Sequence, residues 1–149
     1  MLEPLKILIV EDEALLAMEL ESLIEDAGHS VAGWATSSRE ARILVDTVGA
    51  DLAFVDLNLA DGPTGIEVAR YIAQTNASMV VFLTANASGL PETFEGAVGV
   101  ISKPYTMNGL LAALRYLQEG VRRPPPSSKL PAGFSLSPAF VAAWSPPSR

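Results

Sequence analysis

The 149-residue sequence has no cysteine, one histidine and no apolar run long enough to cross a bilayer. The absence of cysteine excludes disulfides, thiolate catalysis and cysteine-bound zinc. The lone histidine, His29, excludes a metal site built from several histidines and disfavours a Ser-His-Asp triad. A membrane-spanning helix needs a run of about 18 apolar residues, and residues 1–6 lack the features of a signal peptide. We therefore expect a soluble, cytoplasmic protein that does not insert into membranes.

Positive charge is also scarce, because ten lysines and arginines face 17 acidic residues and leave a net charge of −7. Such a chain lacks the clustered basic residues that a nucleic-acid interface needs, so we predict that it does not bind DNA. What the sequence does have is apolar side chains. They make up 49% of the residues, which is enough for a real hydrophobic core in a chain of this length.

Short apolar runs alternate with helical patterns over the first two thirds of the chain. Most runs lack polar alternation, as is typical of strands buried on both faces of a parallel sheet, and a weaker one suits a sheet edge. The runs lie at 5–10, 30–34 (the weaker one), 52–55, 79–83 and 97–101. Glycine and proline between 87 and 96 predict a short or irregular fourth helix, and the last helix should end before Gly120. The alternation predicts an α/β fold with a doubly wound, five-stranded parallel sheet and helices on both faces.

The composition changes near Gly120. Residues 120–149 hold seven of the 11 prolines, four basic residues and no acidic one. The net charge of −7 therefore divides into +4 in this segment and −11 in the first 119 residues. We accordingly divide the chain into a body at 4–118 and a proline-rich basic tail at 119–149.

A short helix is predicted within the tail, near 138–144, because Ser137 and Pro138 suit the N-cap and the first helical position. Three apolar residues should share one face of it: Phe140, Val141 and Trp144. The aromatic residues of the tail, Phe134, Phe140 and Trp144, favour a docking segment, whereas the composition is equally compatible with a disordered tail.

Side chains with complementary chemistry follow the carboxyl ends of the predicted strands, where ligands bind in sheets of this kind. The residues are Glu11, Asp12, Asp56, Thr84 and Lys103. Neighbouring carboxylates are costly when unpaired and suit a hard cation such as Mg²⁺. Asp56 could then accept a phosphoryl group, with Lys103 and the Thr84 hydroxyl contacting the phosphoryl oxygens. Each residue alone has a commonplace explanation as a first-turn acid, turn residue or surface lysine. Their coincidence at four strand ends favours phosphoryl chemistry.

At these residues the sequence resembles the receiver domains of two-component response regulators. The resemblance covers about residues 4–118 and depends on four blocks: Ile9-Val10-Glu11-Asp12-Glu13, Phe54-Val55-Asp56-Leu57-Asn58-Leu59, Phe82-Leu83-Thr84-Ala85 and Ser102-Lys103-Pro104-Tyr105. It implies a flavodoxin-like sheet with strand order 2-1-3-4-5. We further expect a stand-alone response regulator, because the tail leaves no room for a DNA-binding domain.

The resemblance further implies a role for each residue of the site. Asp56 would be the phosphoacceptor, Thr84 and Lys103 would contact the phosphoryl group, and the peptide bond before Pro104 would be cis. The Mg²⁺ ligands would be Asp12, Asp56, the backbone carbonyl of Asn58 and, through water, Glu11. A histidine kinase or a histidine phosphotransfer protein would donate the phosphate, and the domain would assist its own phosphorylation and dephosphorylation without being an enzyme. Output would be protein contact, with an unknown partner, through the tail or in a homodimer.

The sequence departs from the family pattern in three places. Val100 stands where the family has an aromatic switch residue, three positions before the lysine. The loop after Asp56 is slightly long at 61–63 and lacks a proline at position 60, and the fourth helix is weak. These departures argue against the usual threonine–aromatic relay but leave the phosphorylation chemistry intact. The Phe-x-Thr-Ala strand resembles that of a bacterial subgroup without this relay.

Three other functions fit parts of the pattern. A pseudo-receiver would dock without being phosphorylated, although the complete set of Asp12, Asp56, Thr84 and Lys103 argues against it. An aspartyl-phosphate hydrolase of the haloacid-dehalogenase type usually has a second acid two residues after the nucleophile, where this chain has Asn58. A flavodoxin-like nucleotide binder would need a glycine-rich phosphate loop after the first strand, which is absent here.

Overall fold

The structure is a computed structural model that describes residues 2–75 and 78–145. Six strands and five helices lie in these residues. In chain order they are β1 (Lys6–Val10), α1 (Ala14–Asp26), β2 (Ser30–Ala35), α2 (Ser38–Thr47), β3 (Leu52–Asp56), α3 (Gly65–Thr75), β4 (Met79–Thr84), β5 (Gly99–Ser102), α4 (Met107–Arg122), β6 (Phe134–Leu136) and α5 (Pro138–Trp144). The last four residues of the predicted tail, 146–149, lie outside the described residues.

One sheet runs through the molecule in the order β2-β1-β3-β4-β5-β6. Its first five strands pair in parallel, which confirms the predicted α/β fold and strand order. Every residue of β3 is buried, since the helices cover both faces of a doubly wound sheet. The weaker run forms the edge strand β2, which is mostly half-buried or exposed, as predicted.

The prediction of five strands is wrong by one strand. β6 pairs antiparallel with β5, and the pairing aligns Gly99 with Leu136, Val100 with Ser135, and Ile101 with Phe134. A three-residue strand is too short to show a recognisable alternation. Its pairing depends instead on a tertiary contact, because Phe134 is buried in the core on the α1 and α4 side of the sheet.

Helix α4 is longer than predicted, because it continues past Gly120 to Arg122. Gly120 is buried, and a Cβ atom there would overlap the indole ring of Trp144. This glycine therefore makes room for an aromatic ring instead of ending the helix. The boundary predicted between residues 118 and 119 falls inside α4, and the division into body and tail stays a prediction.

Helix α5 lies where the tail helix was predicted, and the Ser137 hydroxyl caps it by accepting a hydrogen bond from the Phe140 amide at 3.4 Å. Trp144 is buried and Phe140 is half-buried, but Val141 is 50% exposed. The predicted shared face is therefore wrong for Val141. The contact face is centred on the i, i+4 pair of Phe140 and Trp144, from which Val141 points away.

Two short 3₁₀ turns, Ala87–Gly89 and Phe94–Gly96, connect β4 to β5. The connection is therefore irregular, as the sequence predicted. Glu95 has a left-handed backbone at φ 50°, and its carboxylate accepts two hydrogen bonds from Arg70 at 3.1 and 3.2 Å. Among the described residues, no helix combines the length and the apolar character needed to cross a membrane.

The single histidine predicts a pH dependence of stability. The Leu5 amide donates to Nδ1 of His29 at 2.9 Å, and burial, with the nearby charge of Arg122, lowers the pKa of His29 below its ordinary value of 6.5. The folded state favours the neutral ring, so this stability is present above the unfolded pKa and is lost as the pH falls towards the folded pKa.

We expect the free energy of unfolding to fall more steeply between about pH 7 and pH 5 in the wild-type chain than in His29→Gln. Urea unfolding of both chains at each pH measures this difference. Other groups that titrate in this range are common to both chains and cancel in the comparison. Parallel pH profiles would contradict the prediction.

Candidate functional site

The carboxyl ends of β1, β3, β4 and β5 meet at an open cleft of about 510 Å³. The cleft lies where the strand order reverses, because β1 has β2 on one side and β3 on the other. Five of the six residues predicted to bind the metal or the phosphoryl group line it: Asp12, Asp56, Asn58, Thr84 and Lys103. The sixth, Glu11, lies beneath them and is 2% exposed.

Lys103 joins the two buried acids of the site. Its Nζ atom donates to Oε1 of Glu11 at 2.8 Å and to Oδ2 of Asp56 at 2.6 Å. The loop that carries it is fixed to the neighbouring strand, since the Lys103 amide donates to the Thr84 carbonyl at 2.8 Å. The peptide bond between Lys103 and Pro104 is cis. One ammonium group therefore contacts the carboxylates of two residues that lie 92 and 47 positions away in the sequence.

Burial and charge oppose each other at this ion triad. Burial raises the pKa of Glu11 to about 7, although the hydrogen bond from Lys103 acts in the opposite direction. Burial alone would lower the pKa of Lys103, but its hydrogen bonds to Asp56 and Glu11 outweigh this and raise that pKa. The lysine is thus held in its charged form beside Asp56.

The acids form a cluster that fits a divalent cation. Glu11, Asp12 and Asp56 each offer a carboxylate oxygen, and these oxygens lie within 4.8 Å of one another. Carboxylate oxygens are the hard ligands that Mg²⁺ prefers, and one or two of them suffice when waters and a phosphate complete the shell. Asn58 adjoins the cluster, because its amide donates to Oδ1 of Asp56 at 3.0 Å.

Thr84 lies at the end of β4 and is 4% exposed. Its hydroxyl accepts from the Asn86 amide at 3.1 Å and donates to the Asn86 carbonyl at 3.3 Å. The hydroxyl is therefore engaged by its own turn rather than by Lys103 or Asp56. Val100, at the position where the sequence pattern lacks an aromatic residue, is 3% exposed in the core beside Phe82.

Two residues that contact the loops of the site were missed by the sequence argument. Trp34 donates from Nε1 to the Glu11 carbonyl at 2.7 Å. Asp61 accepts hydrogen bonds from Ser38 and Thr64. The available signals were a tryptophan in a weak edge strand and an acid in a long loop, and neither indicates a contact by itself.

Residues 7–115 match the family model of the response regulator receiver domain. The chain belongs to this family. Receiver domains are signalling proteins of two-component systems, in which phosphorylation on an aspartate is typical, and they generally bind Mg²⁺ at an acidic pocket. In this receiver, Glu11, Asp12 and Asp56 form an acidic group that could hold a metal ion.

The receiver is similar to parts of longer regulators. It is 34% identical over 128 residues to the phyllosphere-induced regulator PhyR of Methylorubrum extorquens, covering 79% of this chain and 46% of that protein. It is 32% identical over 114 residues to the transcriptional regulatory protein PdtaR of Mycobacterium tuberculosis, covering 74% and 55%. The crystal structure of PhyR from Brucella abortus superposes with a TM-score of 0.67 at 28% identity, covering 80% and 49%. The chain thus spans about half the length of the curated relatives it matches.

Proposed function

We propose that this receiver accepts a phosphoryl group on Asp56, in a Mg²⁺-dependent reaction, from a histidine kinase or a histidine phosphotransfer protein. Its output is protein–protein contact. The observation that carries the proposal is the position of the Asp56 carboxylate. It lies in an open cleft, 2.6 Å from the Lys103 ammonium, in a cluster of three carboxylates.

The transfer step needs little beyond positioning and charge. A carboxylate oxygen of Asp56 attacks the phosphorus atom of a phosphohistidine on the donor protein. The new O–P bond forms as the P–N bond breaks, and the electron pair returns to the imidazole nitrogen, which takes up a proton. The Asn58 amide at 3.0 Å and the Lys103 ammonium at 2.6 Å hold the carboxylate in place. Lys103 then compensates the charge of the phosphoryl oxygens.

The metal ligands that we propose are the carboxylates of Asp12 and Asp56 and the backbone carbonyl of Asn58. Asp12 is exposed at the cleft, whereas Glu11 is buried beneath it and paired with Lys103. Glu11 is therefore suited to act through a water molecule. When bound, Mg²⁺ supplies positive charge to the phosphoryl oxygens.

Thr84 is the residue that we propose to contact the phosphoryl group from the β4 side. Its hydroxyl would exchange the Asn86 carbonyl, at 3.3 Å, for a phosphoryl oxygen. Because Val100 stands at the position of the aromatic switch residue, phosphorylation cannot rotate an aromatic side chain at that position. The response to phosphorylation would then pass through the β4 turn and the loop that carries Lys103.

Replacing Lys103 by alanine should lower the rate of Asp56 phosphorylation by about 10²-fold, the usual effect of removing one group that stabilises a developing charge. The rate is measured with a small-molecule phosphodonor at saturating Mg²⁺. Lys6→Ala is the matched control, because Lys6 is exposed at the start of β1, at the opposite edge of the sheet. Equal rates in the two variants would contradict the role given to Lys103.

The experiment that tests the proposed function is incubation of the full chain with Mg²⁺ and acetyl phosphate, followed by intact-mass and peptide mass spectrometry. We expect one added phosphoryl group on the peptide that contains Asp56, and none when EDTA removes the metal. A chain that is never modified would instead be a docking pseudo-receiver. Continuous release of free phosphate over many turnovers would indicate a hydrolase.

A further inference from the structure

Trp34, near the end of β2, contacts the loop that follows β1. Its indole Nε1 donates to the Glu11 carbonyl at 2.7 Å, while the Glu11 amide donates to the Ala35 carbonyl at 2.9 Å. The end of β2 therefore holds both peptide groups of Glu11. The Trp34 side chain is 44% exposed, so it contributes less to the core than a buried tryptophan would. Its directed contact is the hydrogen bond to Glu11.

This hydrogen bond bears on the orientation of Asp12. The carbonyl that Trp34 holds belongs to the peptide group between Glu11 and Asp12. The Asp12 side chain is exposed at the cleft, so its direction follows from the backbone that carries it. A rotation of that peptide group would change the position of the Asp12 carboxylate relative to Asp56.

Ser38, the first residue of α2, contacts the loop that follows β3. Its amide lies 3.2 Å from both carboxylate oxygens of Asp61, and its hydroxyl donates to Oδ2 of Asp61 at 2.6 Å. Thr64 donates to Oδ1 of Asp61 at 2.6 Å, and the Ala60 amide donates to the Thr36 carbonyl at 2.9 Å. The hydrogen bonds that Asp61 accepts from Ser38 and Thr64, with that of the Ser38 hydroxyl the strongest, lower the pKa of Asp61 to about 2, so this carboxylate stays charged near neutral pH.

The loop that Asp61 anchors also contains Asn58. Leu59 and Gly62 are joined by two backbone hydrogen bonds of 2.8 and 3.0 Å, which close the turn that contains Asp61. The Gly65 amide donates to the Leu57 carbonyl at 3.1 Å and closes the loop. The contact between Ser38 and Asp61 therefore supports the position of the Asn58 backbone, in addition to the hydrogen bond from the Asn58 amide to Asp56.

We propose that residues 34–38, from the end of β2 to the first residue of α2, form a brace that fixes the loop after β1, which carries Asp12, relative to the loop after β3, which carries Asn58. Trp34 and Ser38 are its positioning residues, and neither touches the metal or the phosphoryl group. This inference rests on the proposed function, because it assigns the brace to the Mg²⁺ site. Without the brace, the Mg²⁺ ligands would have to become ordered when the ion binds, and the entropy lost in that step would weaken the affinity for Mg²⁺.

The test is Mg²⁺ binding by the full chain, measured by calorimetry in wild type, Trp34→Phe and Ser38→Ala. Phenylalanine keeps an aromatic ring and removes the N–H donor, and alanine removes the hydroxyl. We expect the dissociation constant for Mg²⁺ to rise about tenfold in each variant, as is usual when a group that orients a metal ligand is lost. Ser22→Ala, on the exposed side of α1, is the control and should bind like wild type.

A second measurement separates the brace from general stability and from the proposed function. In the metal-free variants the amide resonances should shift at Asp12 for Trp34→Phe and at Asn58 for Ser38→Ala. A lower unfolding temperature with an unchanged dissociation constant would overturn the brace. If the wild-type chain itself binds no Mg²⁺, the proposed function fails. The brace is then judged by these resonances alone, and unmoved resonances would overturn it.

Discussion

Replacing Asp56 by asparagine should abolish phosphorylation of the chain. Asparagine has nearly the shape of aspartate, but its amide oxygen is a poor nucleophile and cannot form an acyl phosphate. Glu11 does not substitute for it, because Glu11 is buried and engaged by Lys103, and Asp12 is the residue that we propose as a metal ligand. We therefore expect no added phosphoryl mass after incubation with acetyl phosphate and Mg²⁺.

Asp26→Asn is the matched control for this experiment, because Asp26 is an exposed aspartate at the end of α1. It should be phosphorylated like the wild-type chain. Near-ultraviolet circular dichroism of both variants checks that the fold is retained. Phosphoryl mass that persists in Asp56→Asn would place the acceptor elsewhere and refute the assignment.

Replacing Trp144 by alanine should lower the free energy of unfolding by about 3 kcal/mol, the lower end of the range for a buried large aromatic residue. Trp144 is 5% exposed, fills the space above Gly120, and makes edge-on contacts with Tyr116 and Phe140 at ring-centroid distances of 5.8 and 5.0 Å. Removing the indole leaves a cavity between α4 and α5 that alanine cannot fill.

Val141→Ala is the control for Trp144, because Val141 lies on the same helix and is 50% exposed. A change at such a position should alter stability by less than about 0.5 kcal/mol. Urea unfolding of both variants measures the difference. If the two variants lose the same amount, α5 does not contribute to the core in solution.

The packing of Trp144 also alters the interpretation of the tail. The sequence left open whether the aromatic residues dock or belong to a disordered segment. In the structure, Phe134 and Trp144 are both part of the core on the α1 and α4 side of the sheet. An output partner or a second copy that used these rings would have to displace them from the chain's own body.

The elements that the sequence predicted are those with a local signal. The runs of β3 and β4 are apolar throughout because both faces of the sheet are covered, and that pattern is visible without any partner. The site followed from the fold, since the carboxyl ends of parallel strands meet at one edge and bring Asp56 and Lys103 together.

What escaped prediction depends on contacts between distant residues. Gly120 resembles a helix end until Trp144, 24 residues later, is placed above it. β6 is a strand only because β5 offers an unpaired edge. The hydrogen bond from Trp34 to the Glu11 carbonyl could not be predicted, because every residue has a backbone carbonyl and the sequence does not indicate which one accepts.

The pairing of β6 has a consequence for amide hydrogen exchange. The Ser102 amide donates to the Gly133 carbonyl at 3.0 Å, one residue before Lys103. Exchange of this proton with deuterium requires that its hydrogen bond to Gly133, the residue before β6, break. The exchange rate of the Ser102 amide therefore reports how often this part of the tail detaches from β5, next to the lysine that contacts Asp56.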